Sequence, residues 1–184
     1  MAVHRNVELA TSVAFRCDEK LLIVGDLIGT VYVFDAKSRT HLHCLKGHSA
    51  EAHLVPNPRT DDKFYLFCGG DDSVVKYWDV TTKTCLFDLL GHKDYVRCRN
   101  ASLVRDDMFA SGSCDHNIRI WVVRGSNSGY VMELNTEKPV ESMLYLSSRG
   151  LIATAGGNFV KIWDVIGSGK LLYSMESHNN TQHN

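Results

Sequence analysis

Apolar residues along this chain come in short runs bounded by Gly, Asp, Asn and Ser, and the runs recur at a fixed interval. Residues 21–24, 31–34, 64–67 and 151–153 are apolar at consecutive positions, so an extended strand there is hydrophobic on both faces. Such a strand needs cover from two sides. Enrichment in β-branched and aromatic residues, with turn-formers at the ends, predicts strands joined by tight turns. No stretch carries the helical periodicity of a long amphipathic helix.

The interval can be read from the aromatic residue that closes each unit: Phe34, Trp78, Trp121 and Trp163 follow one another at 44, 43 and 42 residues. Two units carry a Gly-His pair at the front, Gly47-His48 and Gly91-His92, again 44 residues apart. The second unit runs through Leu66-Phe67-Cys68-Gly69-Gly70-Asp71-Asp72 to Trp78-Asp79, and the third through Phe109-Ala110-Ser111-Gly112-Ser113-Cys114-Asp115 to Trp121. Units of this length, whose strands need neighbours on both faces, predict an all-β fold of radially stacked four-stranded blades. The blades fall at residues 7–46, 51–90, 96–134 and 140–176, within a repeat region 1–178 that leaves a polar tail 179–184.

Gly47-His48, Gly91-His92, Trp78-Asp79 and Trp163-Asp164, at one period, resemble the WD40-repeat family. The resemblance implies a β-propeller of about four antiparallel blades. Complete rings in the family commonly have more blades, so an incomplete, open propeller and a fragment of a longer protein are expected. The resemblance also implies a buried hydrogen-bonded network that joins a loop His, a second-strand hydroxyl, a turn Asp and the Trp indole. Carried over, it comprises His92, Ser111, Asp115 and Trp121 in unit three, and His48, Asp72 and Trp78 in unit two, where Cys68 stands in place of the hydroxyl. Unit four offers Trp163 but no turn Asp, and its shortened turn calls on Gly for a positive φ. Unit one has Phe34 for the Trp and Ile28 at the Asp position, leaving packing as its main support.

Beyond the shared motifs, Gly91-His92-Lys93-Asp94-Tyr95-Val96-Arg97-Cys98, Pro139-Val140-Glu141-Ser142 and Ala155-Gly156-Gly157-Asn158 are similar to WD-repeat subunits of the nucleolar small-subunit processome. That resemblance implies a non-catalytic scaffold of the nucleus and nucleolus, acting in ribosome biogenesis through small-subunit pre-rRNA processing and rRNA transcription. Its partners are then other protein subunits of such a complex, with RNA contact indirect or weak. The shared repeat alone leaves a competitor, a generic WD40 adaptor such as a ubiquitin-ligase substrate receptor or a trafficking scaffold.

Charge and composition narrow the field. The 184 residues carry 20 Lys+Arg against 21 Asp+Glu, a formal charge of −1, which supplies no broad basic surface for nucleic acid. No run approaches the roughly 18 apolar residues of a membrane span, and no signal peptide is read, so no membrane partner is expected. Six scattered cysteines with no Cys-x-x-Cys point to small buried hydrophobes rather than to zinc ligands. Gly167-Ser168-Gly169-Lys170 imitates a phosphate loop, but Leu171 follows where a magnesium-binding hydroxyl is needed. Adjacent carboxylates such as Asp71-Asp72 fall in turns, and His41 and His43 read as solvated. No catalytic residue, cofactor, metal site or small-molecule substrate is expected. One row suits a partner: Tyr95, Arg97 and Arg99 alternate along an inner strand, where they would meet an acidic peptide or a phosphate.

Overall fold

The computed structural model describes residues 9–16, 18–56, 64–101, 107–124, 127–146 and 150–176, with residues 55, 56, 98–101 and 127 described by their backbone alone. Among these residues there is no helix. The strands are β1 (Ala10–Phe15), β2 (Leu21–Asp26), β3 (Thr30–Asp35), β4 (His41–Lys46), β5 (Ala52–Pro56), β6 (Tyr65–Gly70), β7 (Val75–Asp79) and β8 (Thr84–Leu89). They continue with β9 (Val96–Ala101), β10 (Met108–Ser113), β11 (Asn117–Arg124), β12 (Asn127–Asn135), β13 (Ser142–Leu146), β14 (Leu151–Gly156), β15 (Phe159–Asp164) and β16 (Lys170–Glu176). Consecutive groups of four form four antiparallel meanders, β1–β4, β5–β8, β9–β12 and β13–β16, here called blades 1 to 4.

The first strands lie side by side, β1 against β5, β5 against β9 and β9 against β13, while β13 does not return to β1. The array is therefore open. Ser12 Oγ donates to the Ala52 carbonyl at 2.7 Å, tying blade 1 to blade 2 at this inner edge. A side chain at Gly69 of β6 would put its Cβ 2.6 Å from Val96 of β9, so the close approach of blades 2 and 3 depends on that glycine.

The core lies between sheets, in three clusters that match the three interfaces. Ile23, Val31, Val33 and Leu45 of blade 1 meet Leu54, Leu66 and Trp78 of blade 2. Phe67, Val75 and Tyr77 of blade 2 meet Val96, Phe109 and Trp121 of blade 3, with Phe67 and Phe109 stacked at 3.8 Å between ring centroids. Ile118, Ile120 and Leu134 of blade 3 meet Met143, Tyr145, Ile152 and Trp163 of blade 4. The second strands show the consequence. In the middle blades, β6 and β10 are buried at every position after the first, whereas in blade 4 only alternate residues of β14 are buried. Two sheet faces are left bare: Val13, Phe15 and Leu42 are exposed on blade 1, and Leu144, Val160, Tyr173 and Met175 on blade 4.

One local irregularity recurs in every blade. The register of the third and fourth strands shifts beside the closing aromatic, between Val33 and Phe34, Tyr77 and Trp78, Ile120 and Trp121, and Ile162 and Trp163. Each bulge leaves one unmatched residue on the outer strand, Leu42, Leu86, Val131 or Leu172, and all four are exposed.

Candidate functional site

The turn between the second and third strands positions the polar network of each blade. In blade 3 that turn places Asp115 with its carboxylate facing back to the loop before β9, where His92 lies. Asp115 accepts only, so His92 Nδ1–H donates to its Oδ2 at 2.9 Å, which leaves Nε2 to accept the Ser111 hydroxyl at 2.7 Å. Ser111 Oγ in turn accepts the Trp121 indole N–H at 2.7 Å. The proton order runs one way, from indole to hydroxyl to imidazole to carboxylate. Asp115 also takes the Lys93 amide at 3.0 Å, the Asn117 amide at 3.0 Å and the Arg119 guanidinium at 3.3 Å. Burial pushes the His92 imidazole below its usual value against the pull of Asp115. Burial also works to raise Asp115, but the hydrogen bonds from His92 and the Lys93 amide outweigh it and hold the carboxyl below its usual range. Ser113 is occupied elsewhere, donating to the Asp94 carbonyl at 2.9 Å.

Blade 2 builds the same chain around sulfur. His48 Nδ1 lies 3.0 Å from both Asp72 carboxylate oxygens, its Nε2 lies 2.9 Å from Cys68 Sγ, and the Trp78 indole donates to that sulfur at 3.2 Å. The network read from sequence as short of a hydroxyl thus has a thiol at the vacant node. Burial drives the Cys68 thiol far above its usual pKa, so it stays protonated and donates.

In blade 4 the Trp163 indole donates to Thr154 Oγ1 at 3.1 Å, and among the described residues no His stands behind it. The space is used by Lys161, whose Nζ donates to the Thr136 carbonyl at 3.0 Å and to Glu137 at 2.8 Å. The turn is closed by Gly157 at φ 59°, where blades 2 and 3 hold Ser73 and His116 at φ 65° and 66°. Blade 1 has no indole to satisfy: Val24 stands at the acceptor position, Phe34 packs edge-on against His41 at 5.3 Å, and Asp26 caps the turn by accepting the Thr30 amide at 2.7 Å. Ile28 is exposed.

A second constant was not singled out from sequence. Two residues before the Trp stands a cation with a buried stem: Lys76 donates to Asp88 at 2.6 Å, Arg119 to Glu133 at 2.5 Å, and Lys161 to Glu137. The signal was present as Lys or Arg at one fixed offset in three units. His43, read as solvated, is half-buried, and burial and Lys83 push its imidazole down.

The row Tyr95, Arg97, Arg99 lies at the rim between blades 2 and 3. Tyr95 precedes β9 and is 44% exposed, and Arg97 lies over its ring at 5.3 Å while reaching Asp71 across the blade interface at 3.7 Å. The Arg99 side chain lies outside the described residues. Beside Asp71, the His53 imidazole sits between Asp71 at 3.3 Å and Glu51 at 3.8 Å. These are the residues most able to hold a metal among those described, and the Arg97 guanidinium beside Asp71 offsets one of their two carboxylates. The phosphate-loop lookalike is the turn into β16, capped by Asp164, which accepts the Gly167 amide at 2.9 Å. In blades 2 and 3 these networks join the loop before the blade to the second and third strands inside it and to the turn between them.

The family model for the WD domain, G-beta repeat, matches residues 83–122. Similarity to curated proteins extends further. The chain is 53% identical over 174 residues to Protein SLOW WALKER 1 of Arabidopsis thaliana, covering 95% of this chain and 33% of that protein. It is 38% identical over 167 residues to U3 small nucleolar RNA-associated protein 15 homolog of Xenopus tropicalis, covering 91% and 32%. To U3 small nucleolar RNA-associated protein 15 of Saccharomyces cerevisiae it is 33% identical over 174 residues, covering 94% and 33%. The chain therefore spans about a third of the length of these relatives.

Proposed function

We propose that the chain, whose residues 83–122 match the WD domain, G-beta repeat and whose meanders stack as four blades, is a WD40-repeat protein and a non-catalytic scaffold of the nucleolar small-subunit processome, supporting small-subunit pre-rRNA processing and rRNA transcription in ribosome biogenesis. The observation that carries the reading is the extent of the similarity: it covers 95% of the chain, all four blades, in a relative 53% identical, and relatives at lower identity are named for association with U3 small nucleolar RNA. A shared repeat motif alone would account for much less. The network chemistry agrees, since its polar groups are spent on one another and on backbone amides, which suits a surface-presenting frame and leaves no activated nucleophile or base.

Partners in this reading are protein subunits of the complex, which the blade rims and outer strands contact. RNA is reached through them, because a chain of net charge −1 lacks the cationic surface for phosphate backbones. The localisation is nuclear and nucleolar.

The test is affinity purification of the tagged chain from growing cells, with co-purifying proteins identified by mass spectrometry and RNAs by sequencing. Processome subunits together with U3 small nucleolar RNA and precursor ribosomal RNA are expected. Recovery of a ubiquitin-ligase core or a coat complex would instead establish the generic adaptor, and exclusion of the chain from the nucleolus would end the proposal.

A further inference from the structure

Blade 2 leaves open a place that the other blades fill. In blade 3 the register sets Tyr130 opposite Trp121, with ring centroids 5.6 Å apart and planes at 82°. The Arg119 guanidinium lies 4.9 Å from the tyrosine ring, and a Cβ added at Gly91 would come within 3.3 Å of it. Blade 1 puts His41 edge-on to Phe34, and blade 4 sets Leu171 opposite Trp163. In blade 2 the residue opposite Trp78 is Cys85, whose side chain is too short to reach across the strand as Tyr130 does. Gly47, Lys76 and Trp78, the equivalents of the three residues that hold Tyr130, line an open cleft of about 340 Å³ together with Cys85, Leu86 and Asp88.

We propose that this cleft docks an aromatic side chain, Tyr or Phe, projected by a protein partner. A ring placed there gains the edge-to-face contact with Trp78 that Tyr130 makes with Trp121. It also lies against the Lys76 ammonium, which Asp88 holds in place at 2.6 Å, as Arg119 is held by Glu133. Leu86, 40% exposed, forms an apolar lip for the rest of the partner's segment. The occupant is protein rather than nucleic acid for two reasons. Trp78 is only 5% exposed, so its face is no stacking platform for a base, and Asp88 sets a carboxylate, its side chain 54% exposed, at the mouth where a phosphate would have to sit. The inference deepens the scaffold reading and rests on it for the protein nature of the partner.

The full chain, labelled with fluorotryptophan, gives one fluorine resonance for each of its three tryptophans. It is titrated with N-acetyl-tyrosinamide, with N-acetyl-leucinamide and with uridine monophosphate. The tyrosine amide should shift the Trp78 resonance saturably and leave those of Trp121 and Trp163 in place, with a much weaker response to the leucine amide. Cys85→Tyr, which supplies the ring from within the chain, should move the Trp78 resonance without any probe and weaken the titration by about tenfold or more. Lys76→Gln should also weaken it, and this variant carries the test if Cys85→Tyr fails to fold by circular dichroism. No Trp78 response, equal responses to both amides, a response to the nucleotide in place of the tyrosine amide, or a titration unchanged by these substitutions would each overturn the proposal. The titration involves no partner, so its failure removes the docking site while co-purification judges the scaffold reading separately.

Discussion

Blades 3 and 4 solve one problem by different chemistry. Each buries a tryptophan against the preceding sheet, Trp121 at 1% and Trp163 at 5% exposure, and each must find an acceptor for the indole N–H. In blade 3 that acceptor, Ser111, is backed by His92 and Asp115; in blade 4 Thr154 stands nearly alone and hands its own proton to the Lys161 carbonyl at 3.4 Å. The constant element is the acceptor two residues beyond the register partner of the aromatic, Ser111, Cys68 or Thr154. The His–Asp pair is an addition that ties the loop before the blade to the turn inside it. Blade 3 is consequently cross-linked between three segments, whereas in blade 4 the loop before the blade is tied to the third strand by Lys161 and the indole acceptor stands outside that tie.

The difference is broken most severely at its carboxylate. Asp115→Ala would strand the His92 N–H in a buried site, take the acceptor from the Lys93 and Asn117 amides and leave Arg119 with Glu133 alone, and a loss of about 3–5 kcal/mol is expected in denaturant unfolding. Ser111→Ala leaves an indole N–H and an imidazole nitrogen unpaired and should cost about 1–3 kcal/mol, while Thr154→Val, which keeps shape and removes one weakly backed acceptor, should cost less than Ser111→Ala in the same assay. A reversed order would mean that the His–Asp pair contributes nothing to holding the hydroxyl.

Acid separates the blades next. The folded pKa of His92, like that of His48, lies below the usual 6.5, so the unfolded chain takes up a proton first as pH falls. Their contribution is whole above the usual value and is lost on its acid side, down to the folded value. Asp115 and Asp72, held below 3.8, keep theirs until pH falls below that and then lose it as well. Lowering the pH from about 7 to about 5 should therefore destabilise the wild-type chain, and a His48→Gln, His92→Gln double variant should show a smaller pH slope. The finest test is Cys68→Ser, which turns the blade 2 node into that of blade 3. Since sulfur already fills the same position, the change in unfolding free energy should stay below about 1 kcal/mol in either direction.

The blades themselves were legible because three signals coincide at one period: the closing aromatic, the Gly-His pair and apolar runs hydrophobic on both faces. The third signal also marked where cover is needed, and only the ends of the array lack it, as Leu151 and Ala153 show by being half-buried. The polar members of the blade 3 network were placed by the resemblance to the WD40 repeat, position by position. What sequence reading could not supply is the identity of substitutes. Cys68 looked like a missing hydroxyl because a thiol is judged by its hydrophobicity, yet in a buried site beside an imidazole it serves as both donor and acceptor. Lys161 was not singled out, because a lone Lys on a strand gives no sign of the Thr136 carbonyl and Glu137 carboxylate that it meets. Cys85 carried no signal by itself, since its meaning lies in the tyrosine, histidine and leucine that occupy its place in the other blades.

That the core lies between sheets rather than within them bears on how the chain is made. Every hydrogen-bonded meander is assembled from neighbouring residues, so its strands can pair soon after they leave the ribosome. Its apolar face, however, waits for the next meander: Ile23, Val31 and Leu45 are walled in only once Leu54, Leu66 and Trp78 have been synthesised. Each blade thus serves for a time as the exposed edge of an unfinished product, and synthesis advances the point of greatest vulnerability along the chain one repeat at a time.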